Sequence, residues 1–314
     1  MADATRTAIL DRLLDGPASG PSLAASLDIS RAAVWKQIEQ LRAEGVQIEA
    51  TSDGYRVTTI AGVTAATLAV DAGFEWEVQH ARRLGSTNTR ARAVIDAGEP
   101  DCAIVADTQT AARGRRGRPW TAPEGGIWLS VVHTPTLGTH ALPLYTLAAA
   151  VAVTDTLTQL GVASTIKWPN DILLSDSPTG KVAGILSEHH GELDGRSRLI
   201  IGIGVNLNID PAALPTDATA VSAAIGPCDR RRSTQRLLSG LEEVISTLEG
   251  PGGTAAITAR WRAAAATLGC DVAVELPGER VEGTAVDIAE TGALVVETTD
   301  GRRRVTAGDC IHLR

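Results

Sequence analysis

The first sixty residues of this 314-residue chain change their hydrophobic period, and that change restricts how they can fold. Apolar residues recur at helical spacing in three short runs that end at Leu41, and glycine, proline and serine separate the runs. Val46 and Ile48 then alternate with polar residues, an SDG turn follows at 52–54, and alternation resumes at Tyr55. Three short helices and a hairpin predict a winged helix-turn-helix over residues 1–60.

The third predicted helix, residues 31–44, would be the helix that reads DNA in such a unit. Its polar side chains suited to phosphates or base edges are Arg31, Lys36, Gln37 and Arg42. The unit carries slightly more acidic than basic residues, so a structural or protein-binding winged helix stays open as the alternative. Trp35 is interpreted as a packing residue.

The remaining chain divides into two further parts, for which the fold class is α+β. Residues 58–66 are interpreted as a linker. Residues 66–265 mix apolar strands with helices, and the short connections between consecutive strands predict a mainly antiparallel sheet covered by helices. Residues 268–314 alternate around glycines and predict a small SH3-like β-barrel.

The overall charge limits the classes of partner. The formal net charge of −8 argues against bulk electrostatic binding to nucleic acid or a membrane, although a local patch remains possible. The longest apolar run, 142–153, contains a proline and is too short to span a bilayer. Four cysteines without a CxxC pair are interpreted as reduced thiols, which predicts a cytoplasmic protein without a metal centre of cysteines.

One basic loop stands out in this acidic chain, with the sequence DTQTAARGRRGRPW at 107–120. Its arginines are Arg113, Arg115, Arg116 and Arg118. Gly114 and Gly117 let the backbone bend closely around a ligand, and arginine suits bidentate contact with carboxylate or phosphate. Pro119 and Trp120 follow as a rigid apolar anchor. The loop predicts an anion-binding site that orders around its ligand; the alternative is an arginine-rich surface loop touching nucleic acid.

Four further clusters are individually weak signals: GSTN at 85–88, IKWPND at 166–171, KVAG at 181–184 and GIGVN at 202–206. Ser86 or Thr87 could simply cap a helix. Lys167 and Asp171 could form a salt bridge within a turn, and Lys181 alone could be a surface lysine.

Taken together, GSTN, TQTAARGRRGRPW, GGIWLS, KWPND, GKVAGIL and GIGVN, in this order, resemble the biotin protein ligase family. The winged helix and the C-terminal barrel are similar to the bifunctional ligase–repressor form of that family. The resemblance implies a central fold like that of class II synthetases. It implies activation of biotin with ATP and Mg²⁺ to biotinyl-5′-adenylate, and transfer to one lysine of a biotin carboxyl carrier protein of acetyl-CoA or propionyl-CoA carboxylase. It also implies operator DNA as a partner and a homodimer when the adenylate is bound.

The resemblance assigns roles by position. Lys181 and Arg115 are expected to be catalytic. Residues expected to bind biotin are Ser86, Thr87, Asn88, Gln109, Arg113, Gly114, Arg115 and Lys181. Residues expected on the ATP and adenylate side are Arg116, Arg118, Trp120, Asn170, Asp171, Gly184, Gly204 and Asn206. Asp171 is also the expected Mg²⁺ ligand.

One position departs from the family pattern, because Ala112 stands where the family commonly has glycine. Since alanine disfavours positive φ, the first bend of the loop is expected to differ. Two other readings stay open: a lipoate–protein ligase, which shares the central fold, and a regulator that binds biotinyl-adenylate without ligating it.

Overall fold

The protein is described here from a computed structural model, which covers residues 2–138, 141–175, 179–193 and 196–313. The N-terminal elements are α1 (Ala2–Leu14), α2 (Gly20–Ser26), α3 (Arg31–Ala43), β1 (Val46–Thr51) and β2 (Gly54–Ile60). β1 and β2 form an antiparallel hairpin that turns at the predicted SDG. The side chain of Ser30 caps α3, and the side chain of Ser19 caps α2. The predicted winged helix-turn-helix is thus present in this region.

Two details of this region differ from the expectations. Trp35 does not pack into the core: 59% of its surface is exposed, because the buried stripe of α3 consists of Val34, Ile38 and Leu41. The segment interpreted as a linker begins with the last residues of β2 and runs into a short helix, α4 (Ala65–Ala69). A capping box between Thr64 and Thr67 starts this helix.

The central region is built on one sheet. In the described residues its strands are β3 (Glu77–Leu84), β4 (Cys102–Gln109), β5 (Ile127–His133), β6 (Ser164–Lys167), β7 (Asp171–Leu174), β8 (Gly180–Leu193) and β9 (Arg196–Val205). Their order is β3-β4-β5-β9-β8-β7-β6. Only the β3–β4 pair among these is parallel, which confirms the predicted mainly antiparallel sheet.

Helices cover the two faces of this sheet unequally. The helices of this region are α5 (Thr87–Asp96), α6 (Leu142–Gln159), α7 (Val221–Ile225), α8 (Arg230–Glu249) and α9 (Gly253–Ala264). α6 is apolar nearly all round, so it lies buried between the sheet and α8 and α9, as such a helix must. On the opposite face α5 covers one end, around Ala91, Val94 and Ile104. The rest of that face stays available for a cavity.

The C-terminal region forms a second antiparallel sheet. Its strands are β10 (Asp271–Leu276), β11 (Glu279–Ile288), β12 (Leu294–Thr298), β13 (Gly301–Val305) and β14 (Asp309–His312). They follow the order β13-β12-β11-β10-β14, and every pair is antiparallel. Their inward-facing residues join the core of the central region, so this sheet packs directly against it. No helix among the described residues is long and apolar enough to cross a membrane.

Candidate active site

A cavity of about 660 Å³ opens on the sheet face that the long helices leave uncovered. Gly184, Gly202 and Gly204 lie on that face of β8 and β9, and their lack of side chains lets Trp120 and Asn88 pack against the sheet as part of the cavity lining. The arginine loop, the start of α5, the IKWPND segment and the first residues of β14 form its walls. The structure therefore brings these four segments together over β8 and β9.

The arginine loop folds back on itself as it leaves β4. Gln109 pairs with Ala122, and Arg113 pairs with Pro119, so the loop is a closed excursion with a helical turn at Arg115–Gly117. Left-handed backbone occurs at Arg116, with φ of 54°, and at Gly117, with φ of 73°. Ala112 is absent from the positive-φ residues of the described chain. The left-handed turn of the loop thus lies at Arg116 and Gly117, and the expectation that alanine alters the first bend relative to the family stays a prediction.

Uncharged polar groups line the end of the cavity near α5. The amide oxygen of Gln109 accepts a hydrogen bond of 2.7 Å from the backbone N–H of Thr87. Ser130 Oγ lies 2.6 Å from Asn88 Oδ1 and 2.7 Å from Thr87 Oγ1. Because Oδ1 can only accept, Ser130 donates to Asn88 and is free to accept from Thr87. With Oε1 occupied, Gln109 presents its N–H groups to the cavity.

Ser86 precedes α5 but makes no capping hydrogen bond through its side chain. The capping interpretation of the GSTN segment is therefore wrong for Ser86. Its hydroxyl lines the cavity beside Thr87 and Asn88, all three of which were expected there.

Glu188 on β8 was not expected from the sequence. Its carboxylate accepts a hydrogen bond of 2.7 Å from Asn88 Nδ2 and pairs with Arg92 of α5. Since a carboxylate only accepts, this contact orients the Asn88 amide with its oxygen toward Ser130. A glutamate in a strand gives no sequence signal for such a role, because the partner lies 100 residues away.

Lys181 and Asp171 form an ion pair of 2.6 Å between Nζ and Oδ1, and both side chains are about one quarter exposed. Antiparallel pairing of β7 and β8 brings the two residues near each other. The Lys181 ammonium also lies 5.0 Å from the ring centroid of Trp120. The predicted alternative of a Lys167–Asp171 salt bridge is wrong, because the carboxylate of Asp171 is directed to Lys181.

Arg115 lines the cavity and contacts both the IKWPND segment and the C-terminal sheet. Its Nη1 donates 2.9 Å to the carbonyl of Gly308 and 3.3 Å to Asn170 Oδ1. Burial lowers the pKa of the Arg115 guanidinium; the neighbouring carboxylate of Asp309 opposes this effect, and the charge of Arg116 adds to it. A partly buried cation beside another cation is stabilised by an anion, so this position suits a carboxylate or phosphate ligand.

Trp120 walls the far end of the cavity, with its indole against two backbone positions that lack side chains. A Cβ on Gly204 would lie 3.0 Å from the indole nitrogen, and one on Gly184 would lie 3.2 Å from the ring. Asn206 is 2% exposed and donates to the carbonyl of Thr219, while its buried Oδ1 has no partner in the described structure. A ligand N–H would satisfy that acceptor.

This chain is similar to known protein families and to proteins of known name. Three family models match: the Biotin/lipoate A/B protein ligase family at residues 80–208, the Biotin protein ligase C terminal domain at 267–313 and an HTH domain at 5–56. The bifunctional ligase/repressor BirA of Bacillus subtilis is 35% identical over 305 residues, which cover 93% of this chain and 92% of that protein. The chain belongs to the biotin protein ligase family.

Two further relatives support this placement. The biotin–[acetyl-CoA-carboxylase] ligase of Mycobacterium tuberculosis is 35% identical over 256 residues, covering 78% of this chain and 92% of that protein. The solved structure of the biotin protein ligase of Aquifex aeolicus in complex with biotin and ATP superposes with a TM-score of 0.63 at 25% identity, covering 76% of this chain and 98% of that one.

Biotin protein ligases of the bifunctional kind carry the HTH domain, and here the four expected DNA contacts differ in their availability. Arg31 and Lys36 are exposed on α3, and Gln37 is half-buried. Arg42 is engaged inside the domain: its guanidinium donates to the carbonyl of Ile48 at 2.7 and 3.0 Å and pairs with Glu39 at 2.6 Å. The structure thus gives Arg42 a role in holding α3 to β1.

The cavity offers few protein side chains as ligands for the Mg²⁺ that is expected for a biotin protein ligase. Among the described residues no group of three or more His, Cys, Asp or Glu could hold a metal ion. Asp171 offers one carboxylate at the cavity wall; its Oδ1 pairs with Lys181, and the Asn170 oxygen beside it accepts from Arg115. Mg²⁺ is commonly bound through one or two carboxylates together with substrate phosphates and water, so the Asp171 carboxylate suits Mg²⁺ that arrives with ATP.

Proposed function

We propose that this protein activates biotin with ATP to biotinyl-5′-adenylate and transfers biotin to a lysine of a biotin carboxyl carrier protein. The observation that supports this most directly is the set of groups that line one cavity. Neutral hydrogen-bonding side chains lie beside the start of α5, and a lysine and several arginines line the same cavity together with the Trp120 indole. Biotin, an acyl phosphate and an adenosine need the same three kinds of group.

Biotin would bind at the neutral end. Its ureido group has one acceptor and two donors, which match the N–H groups of Gln109 and the hydroxyls of Ser86 and Thr87. Asn88, fixed by Ser130 and Glu188, closes this end of the cavity. Arg113 and Gly114 of the loop lie along the same wall and would contact the acyl tail.

Adenylation would take place at the cations. Attack of the biotin carboxylate on the α-phosphorus brings two anions together and releases pyrophosphate, so preorganised positive charge lowers the barrier. Lys181, Arg115, Arg116 and Arg118 all line the cavity. Lys181 and Arg115 would bridge the carboxylate and the α-phosphate, while Arg116 and Arg118 would add charge from the loop. Bound Mg²⁺, held by Asp171 and Asn170, would supply charge neutralisation for the ATP phosphates.

The adenosine would lie against Trp120, whose indole packs over the backbone of Gly184 and Gly204 because neither residue has a side chain. The free Oδ1 of Asn206 would accept a hydrogen bond from an exocyclic amine. In the second half-reaction, the amine of the carrier lysine attacks the acyl carbon, and AMP leaves.

Transfer of labelled biotin tests this function. Full-length protein, ATP, Mg²⁺ and labelled biotin are incubated with the unmodified carrier domain of the source organism's acetyl-CoA or propionyl-CoA carboxylase, and the carrier is analysed by mass. We expect a gain of one biotin that requires ATP. A parallel reaction with lipoate and a lipoyl domain should give no product; label on the lipoyl domain alone would identify a lipoate ligase. Adenylate formation without transfer would identify a regulator that does not ligate.

A second function, biotin-responsive repression, is favoured by the winged helix with exposed Arg31 and Lys36 on α3. We propose that the biotinyl-adenylate form, as a homodimer, binds an operator upstream of the biotin genes of its own organism. A gel shift at fixed salt tests this, with biotin and ATP against neither, and sedimentation under the same conditions gives the oligomeric state. If biotin and ATP changed binding to neither the operator nor random DNA, repression would be excluded.

A further inference from the structure

The arginine loop is attached to the C-terminal sheet through three of its arginines. Arg115 donates to the carbonyl of Gly308 at 2.9 Å, and Arg116 donates to the carbonyl of Glu275 at 2.8 Å. Both remaining contacts go to one carboxylate: Asp309 Oδ1 accepts 2.7 Å from Arg118 Nη2, and Asp309 Oδ2 lies 3.2 Å from Arg116 Nη1. The loop thus bridges two regions whose contacting residues lie more than 150 positions apart.

The acceptors on the C-terminal side are held in place by the sheet. Asp309 begins β14 and pairs with Glu275 of β10, so the carboxylate and the carbonyl face the loop from adjacent strands. Gly308 has φ of 143°, and a Cβ there would lie 2.5 Å from Val274 Cγ1. Only glycine lets the chain enter β14 with its carbonyl in this position. These groups form a rigid anchor for a loop that has little apolar burial of its own.

Charge gives the carboxylate a specific task. Arg115, Arg116 and Arg118 lie within four positions of each other, and they repel one another when the loop is folded. Asp309 contacts two of these guanidiniums at once, whereas the carbonyls of Gly308 and Glu275 accept hydrogen bonds without carrying a charge. Loss of its charge would favour a loop that lifts from the sheet, because the guanidiniums then gain by separating into water.

We propose that Asp309 is a positioning residue that latches the arginine loop over the cavity and so keeps water from the acyl phosphate of the adenylate until the acceptor lysine arrives. This inference rests on the proposed function. The reaction that the latch suppresses is hydrolysis, in which water adds to the acyl carbon, the bond to the phosphate oxygen breaks, and biotin and AMP are released.

The first test measures the loss of bound adenylate. The adenylate is formed from stoichiometric labelled biotin and ATP with pyrophosphatase, and its conversion to free biotin and AMP is followed without a carrier. Asp309→Asn should speed this loss about five- to tenfold, since the two ion pairs are partly exposed and of modest strength. Asp309→Glu should restore most of the retention, and Asp300→Asn, in the β12–β13 turn of the same sheet, should behave as wild type.

The dependence of adenylate loss on salt distinguishes the proposed latch from a merely structural role of Asp309. Rising KCl screens partly exposed ion pairs, so adenylate loss from wild type should accelerate toward the rate of Asp309→Asn, while the variant should respond little. Equal rates of loss for wild type and variant, or the same salt response in both, would overturn the proposal.

A second test needs no substrate and separates the latch from the proposed function. Trypsin cleaves after arginine except before proline, so the loop offers three such bonds, after Arg113, Arg115 and Arg116. Mass analysis of the fragments therefore reports how often the loop lifts in the full-length protein. Cleavage between residues 113 and 117 should be about five- to tenfold faster in Asp309→Asn and unchanged in Asp300→Asn. Wild type that forms no adenylate would refute the ligase assignment alone; equal cleavage in all variants would refute the latch.

Discussion

Lys181 Nζ lies 2.6 Å from Asp171 Oδ1, so the cation that we propose meets the biotin carboxylate and the α-phosphate already has a carboxylate partner. The pair joins β7 to β8, and the ring centroid of Trp120 lies 5.0 Å from the same ammonium. Holding the ammonium in this way fixes its position before the substrates bind, which would reduce the rearrangement that the reaction requires.

Gly202→Ala should weaken biotin binding. A Cβ at this position would lie 2.1 Å from Asn88 Oδ1, and the Asn88 side chain cannot yield cheaply because Ser130 and Glu188 hold it. We expect the KM for biotin to rise at least about tenfold, equivalent to the loss of one or two hydrogen bonds. The KM for ATP should change little, which initial-rate kinetics with each substrate varied in turn will measure.

The matched control for this substitution is Gly240→Ala on α8. A Cβ there would meet its nearest neighbour, Thr156 Oγ1, at an ordinary distance of 3.9 Å. Alanine also suits a helix better than glycine by about 1 kcal/mol, so we expect equal or higher stability and unchanged kinetics. If both variants lost biotin affinity alike, close packing at Gly202 would not be the cause.

Glu188→Ala should affect biotin binding through Asn88 without touching the ligand. Removal of the carboxylate takes away the acceptor at 2.7 Å from Asn88 Nδ2 and leaves only the Leu186 carbonyl at 3.3 Å, so the amide is held less firmly. We expect the KM for biotin to rise about threefold to tenfold with kcat nearly unchanged, in line with one hydrogen bond to a charged group. Arg92→Ala removes the other partner of Glu188 and should have a smaller effect; an equal effect would point to the ion pair instead.

Asp107 should contribute to the loss of folding stability at acid pH. Burial raises its pKa, but hydrogen bonds from His80 and Arg230 outweigh this effect, so the pKa lies below the ordinary 3.8. The folded state therefore binds this proton more weakly than the unfolded state. The stabilisation is present above about pH 3.8 and is lost as the pH falls through the lower folded value.

Asp107→Asn should accordingly lower the free energy of unfolding at neutral pH by about 3 kcal/mol, because Arg230 loses its counter-charge at a largely buried site. The variant should also lose less stability than wild type as the pH falls below 3.8. Urea unfolding across pH measures both effects. Parallel stability curves for the two proteins would contradict the assignment.

Two basic residues of α3 should behave differently in DNA binding. Lys36 is exposed, so Lys36→Ala should weaken operator and random DNA about equally and reduce the dependence of log K on log salt by about one. Arg42 is bonded to the Ile48 carbonyl, so Arg42→Ala should instead lower the stability of the winged helix by about 1 kcal/mol. Gel shifts and thermal unfolding of both variants separate the two roles. Weaker DNA binding by Arg42→Ala and lower stability of Lys36→Ala would show that the two roles are assigned the wrong way round.

The sequence predicts the elements whose signals lie close together in the chain. The period of apolar residues predicted α3 and the hairpin, and the glycine-separated arginines predicted a ligand-binding loop, because these signals lie within a few positions. Lys181 and Asp171 were both candidates, but only the antiparallel register of β7 and β8 shows that they pair.

The remainder depended on contacts between distant segments. Glu188 and Asp309 look like ordinary strand carboxylates in the sequence, and only the fold places them against Asn88 and the arginine loop. Trp35 was misassigned for a related reason: an aromatic residue on a short helix packs or remains exposed according to the rotation of that helix. The rotation here is set by Val34, Ile38 and Leu41.

The central claim is that Lys181 takes part in adenylation of biotin, and exchange of label between pyrophosphate and ATP tests it most directly. Folded wild type should catalyse exchange only when biotin is present, and Lys181→Ala should reduce the rate at least about 100-fold, as loss of one preorganised charge at a reacting phosphate typically does. Absence of exchange by folded wild type, or undiminished biotin-dependent exchange by Lys181→Ala, would contradict the account.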